Sequence, residues 1–350
     1  MKTILLTKAS SYKTIVICKY IKKTYKDFLL FCTDNKVLVE KYHSKYIDRV
    51  IIVDEGVDGL KQIIKNNKID IFIPTQSSEM GYLLKNKKYF TPLLDYWSDF
   101  NDFDDLNDKD KLSDLCRELN IPHPLKYASL KDSLPPFVMK PKISAGSKGV
   151  KYIRNLSAKK RIQKNQKINL DTYIFQEEIK GFGIGYSVFS IDGKILASHG
   201  HKRLIEFPIS GGSSVLRESY NNKQAIHYAK KIIKYKKWSG FAMFEFKEVK
   251  NGNVILIEVN PRVWGSINQG LMNGTNYFSY LLGDTQIENK IKKKYTYLSP
   301  LVYLAILNQV IRLKILYLIR FIKTFLKSQA DVGFIDDYKG FISLIVKRLK

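Results

Sequence analysis

The 350 residues carry 59 lysines and arginines against 33 acids, a formal net charge of +26. A chain of this length, 45% hydrophobic, is long enough for two or three domains with proper cores. The charge favours acidic partners, namely nucleotide phosphates, anionic lipid, acidic glycans or nucleic acid, and by itself selects none of them. Cys18, Cys32 and Cys116 are far apart with no CxxC pair, which fits core filling in a reducing compartment. The apolar run in MKTILLTKASS is too short for a signal peptide and reads as a first strand.

From residue 1 to about 105, strand-like and helix-like stretches alternate. Lys2–Thr7, Phe28–Thr33, Arg49–Val53 and Ile69–Pro74 read as strands, and Tyr12–Ile21 and Leu60–Asn66 as helices. That alternation predicts a parallel sheet with covering helices. Neither GxGxxG nor GxxxxGK[ST] occurs, which argues against a dinucleotide or P-loop site here. Ligands favour the carboxyl ends of such strands, so Gln76, Ser77 and Glu79 are acceptor-side candidates, against the alternative of a plain polar loop.

Asp99–Asp110 is acidic and turn-rich, and is expected to be a boundary. Lys109–Leu119 then has helical periodicity, and Asn120 with Pro122 and Pro124 ends it. Phe137–Pro141 is a short apolar strand carrying Lys140, followed by Ser144, Gly146, Ser147 and Gly149. Small residues let backbone N–H groups close over phosphate oxygens beside a fixed lysine charge. Tyr173–Ile179 is a strand ending in Glu177 and Glu178.

Asp192-Gly193 predicts a hairpin turn. Beyond it His199, His201 and Arg203 alternate onto one face, read as a basic face toward phosphates rather than a metal site. Pro208–Ser214 reads as a flexible lid or substrate loop, with Ser213 its acceptor-side candidate. Gln224–Tyr235 is a basic amphipathic helix.

The most informative stretch is Gly240–Ser266. Two alternating apolar runs flank Asn251-Gly252, which predicts a two-residue type I′ turn. Glu245 then lies directly opposite Glu258, and Asn260 points from the same face. Opposed like charges are unfavourable, so something positive belongs between them, and removing one acid should not cost stability without metal. Two carboxylates and an amide oxygen are the hard ligands that Mg²⁺ (or Mn²⁺) prefers.

Between Glu288 and Asp331 there is no acid, while nine lysines and arginines occur there. The uncharged stretch 295–311 is interrupted by Ser299, Pro300, Asn308 and Gln309, a weak candidate for a membrane span. On a helical wheel, at about 100° per residue, Arg312, Arg320, Lys323 and Lys327 form a basic stripe beside a broad apolar face. Two readings follow: an interfacial helix on an anionic membrane surface through 298–327, or a helix that covers the core.

Glu245 followed by Glu258-Val259-Asn260-Pro261-Arg262 resembles the metal-binding end of the ATP-grasp superfamily, over roughly Leu112 to Leu282. The resemblance implies an α/β ATP-grasp fold, with a Rossmann-like domain over 1–105 and a two-lobed ATP-grasp domain over 106–290, its lobes about 106–175 and 176–290. A basic helical region over 291–350 lies outside it. ATP contacts are implied at Lys109, Lys140, Ser144, Gly146, Ser147 and Gly149, and adenine recognition at the hinge residues Glu177, Glu178 and Ile179. Metal ligation is implied for Glu245, Glu258 and Asn260, and catalytic roles for Arg262 and Arg203. The sequence departs from the common pattern at Gly185, where many members place a ribose-binding glutamate.

The implied chemistry is an ADP-forming ligase that joins a small-molecule carboxylate to an amine, in the cytoplasm or peripherally on the inner face of the membrane. The rivals are acyl transfer to a thiol or use of bicarbonate, a non-catalytic nucleotide sensor, and a basic nucleic-acid-binding protein. The last lacks stacking aromatics in a basic groove motif.

Overall fold

The structure, a computed structural model, describes residues 1–53, 56–144, 146–207, 212–283, 294–299, 301–311, 316–325 and 327–346. β-Branched runs at the start of the chain form four parallel strands, β1 (Lys2–Leu6), β2 (Phe28–Asp34), β3 (Arg49–Ile52) and β4 (Ile71–Ile73). Their order is β3-β2-β1-β4, so the topology reverses between β1 and β4. The helices that follow those two strands, Tyr12–Thr24 and Ser77–Lys85, both begin at this switch point. Thr7 and Thr75 pin the two strand ends together: Thr75 N–H donates to Thr7 Oγ1 at 2.9 Å, and Thr75 Oγ1 donates to Thr7 O at 2.9 Å.

A second, antiparallel sheet has the order β5-β8-β6-β7. Its strands are β5 (Lys126–Tyr127), β6 (Phe137–Pro141), β7 (Lys151–Ile153) and β8 (Tyr173–Glu177). The third sheet contains β9 (Phe182–Ile191), β10 (Lys194–Phe207), β11 (Ser213–Ser219), β12 (Gly240–Glu248), β13 (Val254–Asn260), β14 (Tyr295–Tyr297) and β15 (Ser328–Ala330). It runs β13-β12-β9-β10-β11-β14-β15.

Two expectations are corrected here. The boundary stretch 99–110 holds a helix, Phe100–Asn107, because Phe103 and Leu106 recur at helical spacing and bury themselves. The region after 290 is not purely helical: β14 and β15 extend the third sheet. The buried Arg217–Asp331 ion pair ties that extension down, with Asn268 also donating to Asp331 at 2.9 Å.

One core runs without interruption from the first sheet into the third. Trp97 stacks edge-on against Trp238 and lies over Gly240, whose φ of +111° and lack of a Cβ admit the indole. The second sheet has its own small core around Phe137, Met139 and Phe175.

The two hairpins differ in an instructive way. Asp192 and Gly193 both take positive φ, and Ile191 pairs with Lys194, the type I′ turn expected. At 249–253, however, Val249 N–H donates to Asn253 O at 2.9 Å around a three-residue loop with Gly252 at φ +82°. The ladder therefore starts one residue out of the expected register, with Phe246 opposite Leu256. A bulge at Ile257 then restores Glu245 opposite Glu258. The facing pair is correct although the turn is not.

Candidate active site

A cavity of about 780 Å³ opens between the first sheet's switch point and the third sheet, and a narrower pocket of about 110 Å³ lies between the second and third sheets. Ser144, Ser147, Arg203, Glu245 and Glu258 line both, so these five form the shared wall. Two of the expected metal residues, Glu245 and Glu258, stand on that wall because β12 and β13 pair there, and Asn260 lines the larger cavity.

In the metal-free wall, cations already satisfy the opposed acids. Arg203 Nη2 pairs with Glu245, and Lys109 Nζ lies 3.6 Å from Glu258 Oε2. Burial pushes the Glu245 carboxyl up, Arg203 opposes that, and the net position is above the usual range. Burial also works to raise Glu258, but Lys109, Lys140, Arg203 and Arg262 together overcome it and hold it below the usual range. Asn260 spans the pair, donating to Glu245 Oε1 at 3.1 Å and Glu258 Oε1 at 3.4 Å, while its own oxygen accepts from Arg262 Nη2 at 2.5 Å. Arg262 continues to the Ser77 hydroxyl at the start of the Ser77–Lys85 helix, so it bridges the acids to the switch point.

Lys109 opens its helix behind the Asp108 cap and reaches Ser144, with Nζ 3.4 Å from Oγ. Lys140 is buried on β6 and donates to Ile257 O at 3.3 Å, the carbonyl turned out by the bulge. Burial brings its ammonium down to about 8. In the loop after β6, Gly146 and Ser147 adopt positive φ and line the larger cavity. Gly149 lines neither cavity; at φ +78° a Cβ there would stand 2.7 Å from Pro141 Cγ, so it lets the loop close on its own strand. Glu177, Glu178 and Ile179 line the narrow pocket. The Glu177 carboxylate accepts from Leu125 N–H at 2.9 Å, and Glu178 pairs with Arg154.

Three acceptor-side and basic-face expectations change. Glu79 is 3% exposed and faces inward, taking the Thr7 hydroxyl and completing the cap of its own helix, so it does not line the cavity. Ser213 does line it, whereas 208–211 of the expected lid loop lie outside the described residues. His199 and His201 do not form a basic face. Burial lowers His199 to about 4 and, with Arg203 and Arg217 nearby, holds His201 well below its ordinary value. Of the three, Arg203 alone is a cation.

Other residues at the site carry no sequence signal. Gly185 is explained by His201, whose ring occupies the space a Cβ would need. Glu206 lines the narrow pocket and lies 3.5 Å from Arg203 Nη1, because bulges in β10 turn both to one side. No alternation rule finds it. Gln176 is 3% exposed in the same pocket, and its Oε1 has no hydrogen-bond partner. Arg203 Nε is likewise buried without a partner. An orphaned acceptor at the hinge fits an exocyclic amine, and an orphaned guanidinium donor on the shared wall fits a phosphate oxygen. Glu245, Glu258 and the Asn260 amide fit a hard divalent cation by donor type, provided the amide turns its oxygen away from Arg262.

Comparison with known proteins adds three findings. A family model for the ATP-grasp domain matches residues 106–266. The carbamoyl phosphate synthase large chain of Clostridium acetobutylicum is 24% identical over 274 residues, covering 73% of this chain and 24% of the relative, so this chain spans about a quarter of that relative's length. Two solved structures share the fold. The biotin carboxylase domain of the 2-oxoglutarate carboxylase of Hydrogenobacter thermophilus, crystallised with MgADP and bicarbonate, has a TM-score of 0.63 at 12% identity, covering 84% of this chain and 73% of that one. The L-amino acid ligase of Bacillus licheniformis has a TM-score of 0.56 at 14% identity, covering 78% and 70%. The family match, the shared fold and the acid-bearing hairpin agree on one part of the chain: residues 106–266 match the ATP-grasp domain.

Proposed function

We propose that this chain is an ADP-forming ligase that activates a small-molecule carboxylate as an acyl phosphate and joins it to an amine. The observation that carries the reading is the pair of cavities sharing one wall of Arg203, Glu245 and Glu258. A nucleotide in the narrow pocket would present its terminal phosphate at that wall. An acid in the larger cavity would meet it from the other side.

In this reading Gln176 and the backbone of 177–179 take the base, and Glu178 or Glu206 takes the ribose in place of the glutamate missing at Gly185. Lys109, Lys140 and the Ser144–Ser147 turn hold the phosphates. Glu245, Glu258 and Asn260 would hold Mg²⁺, which when bound supplies charge neutralisation between phosphate groups. A carboxylate oxygen attacks the terminal phosphorus and the bond to ADP breaks. Arg203 lies where charge develops on the phosphoryl oxygens, and Arg262 orients the carboxylate by its two-pronged guanidinium. The amine lone pair then attacks the acyl carbon, phosphate leaves, and the nitrogen gives up a proton. Residues 1–105 form the acceptor side, 106–290 the nucleotide-binding part and 291–350 an extension of it. A thiol or bicarbonate in place of the amine keeps the first step and changes the second. Screening Mg²⁺-dependent ADP release against pools of acids with amines, thiols or bicarbonate tests the assignment, and no response to any pool would refute it.

One observation favours a further proposal, that of an anionic membrane surface as partner. Residues Leu301–Ile311 pack Val302, Ala305 and Ile306 onto the third sheet, as a covering helix does, and no helix among the described residues is long and apolar enough to cross a membrane. That helix nevertheless leaves Leu304, Leu307 and Ile311 exposed, and the next helix, Leu316–Phe325, leaves Ile322 and Lys323 exposed. The full chain should float with anionic vesicles at low salt and stay behind at high salt. Absence of flotation at any salt would reject this contact.

A further inference from the structure

Two leucines from the end of the chain, Leu298 and Leu301, line the larger cavity and not the narrow pocket. Both belong to the extension of the third sheet, outside the 106–266 match. They are held firmly. Leu298 N–H donates to Val215 O at 2.9 Å, and Leu298 O accepts from Val302 N–H at 2.9 Å. Asp331, which carries the buried pair with Arg217, donates its N–H to Tyr297 O at 2.9 Å. Leu298 belongs to a small apolar core with Val215 and Leu216, and Leu301 and Tyr12 pack against that core. Tyr12 lines the cavity too and joins this apolar end to the reacting end. Its hydroxyl stands where a Cβ on Gly265 would collide with it. Burial raises its phenol above the ordinary value while Arg217 and Arg262 oppose that, so both guanidiniums lie nearby.

The polar groups around Tyr12 are already engaged. Ser266 Oγ lies 3.2 Å from His201 Nε2 and 3.6 Å from Met243 Sδ, and Ser214 Oγ donates to Leu216 O at 3.4 Å. Lys13 donates to Val263 O at 3.3 Å and to Thr75 O. Among the described lining residues the only acids are Glu245 and Glu258, paired with Arg203 and Lys109. No carboxylate is left to hold an ammonium group on the substrate. What the leucines and the tyrosine ring offer is apolar surface, worth roughly fourfold in affinity for each methylene buried on it.

We infer that the carboxylate substrate carries an apolar tail, which lies against Tyr12, Leu298 and Leu301 while the reacting carboxylate is held at Arg262. The extension of the third sheet then sets which acid is accepted. This rests on reading the larger cavity as the acid's pocket, but it concerns binding and is measured without turnover. Calorimetric titration of the full chain compares butyrate, hexanoate and octanoate, and sets hexanoate against adipate and octanoate against suberate. Affinity should climb about tenfold over at least one pair of added methylenes, and each monoacid should bind about tenfold more tightly than the diacid of its length. Leu301→Asn, close to Leu in volume, should remove that step while affinity for a non-hydrolysable ATP analogue is unchanged. Leu301→Trp should move the step to shorter acids, which a merely structural role for Leu301 would not do. Failure of octanoate to bind, equal affinity along the series, tighter binding of the diacids, or a step indifferent to both variants overturns the inference. If the step and its dependence on Leu301 are found but no acid elicits ADP release, the subsite stands and the ligase reading fails.

Discussion

At the scale of single residues, the opposed glutamates titrate in opposite senses. Glu258 is held below its unfolded value, so its ionised form stabilises the fold above the ordinary carboxylate range, and that contribution is lost as pH falls through the folded value. Glu245 is held above its unfolded value, so its contribution is present at low pH and lost as pH rises. Glu258→Gln should therefore abolish Mg²⁺-dependent ADP release and also lower the thermal midpoint without metal, by roughly 2–4 °C. The sequence alone led to the opposite stability expectation, because like charges across a ladder repel. Lys109 and Arg203, brought in from other elements, reverse the sign. Thermal melts of the variant from pH 4 to 8 check this: the deficit should shrink toward pH 4, and a constant or absent deficit would remove Lys109 from the pair.

Lys140 makes a second residue-scale prediction. Its ammonium loses its proton near pH 8, so polyphosphate affinity should decline as pH rises through that value. Lys140→Ala should weaken an ATP analogue by roughly ten- to a hundredfold, since a charge-assisted contact contributes about 1.5–3 kcal/mol. The variant should also lose the pH dependence. Calorimetric titration at pH 7 and 9 reads both, and unchanged affinity would make Lys140 a strand lysine only.

At the scale of elements, what could be read from the sequence was what two-residue and 3.6-residue periods encode. β1 to β4, the Lys109–Glu118 helix with its left-handed Asn120, the Asp192-Gly193 turn and the facing Glu245–Glu258 pair follow from such patterns. Bulges do not. The one at Ile257 both restored the acid register and aimed a carbonyl at Lys140, and those in β10 brought Glu206 beside Arg203. Burial is equally silent in a sequence, which is why His199 and His201 read as basic although burial holds both below the ordinary imidazole range. Gly185 shows the same limit: its meaning lies in the His201 ring across the sheet. Gly185→Ala should displace that ring from Ser266, whose hydroxyl lies 3.2 Å from Nε2. The cost should be about 1–3 kcal/mol of stability. A denaturant midpoint equal to that of the unaltered protein would show that the ring moves freely.

At the scale of the whole molecule, the shared wall joins three sheets that are far apart in sequence. Arg262 from the end of β13 reaches Ser77 after β4, and Lys109 reaches both the loop after β6 and Glu258. On the proposed reading, with the nucleotide in the narrow pocket and the acid in the larger cavity, the two would meet at one set of charges, the geometry that direct transfer of a phosphoryl group between two bound substrates requires. The most direct test traps the transferred group. The protein is incubated with ATP, Mg²⁺, a pool of dianionic and monoanionic acids, and hydroxylamine as a strong nucleophile. An acyl phosphate predicts acyl hydroxamate and ADP in equal amounts, both lost in Glu258→Gln. Release of AMP and pyrophosphate, or of ADP with no hydroxamate from any acid, would contradict it.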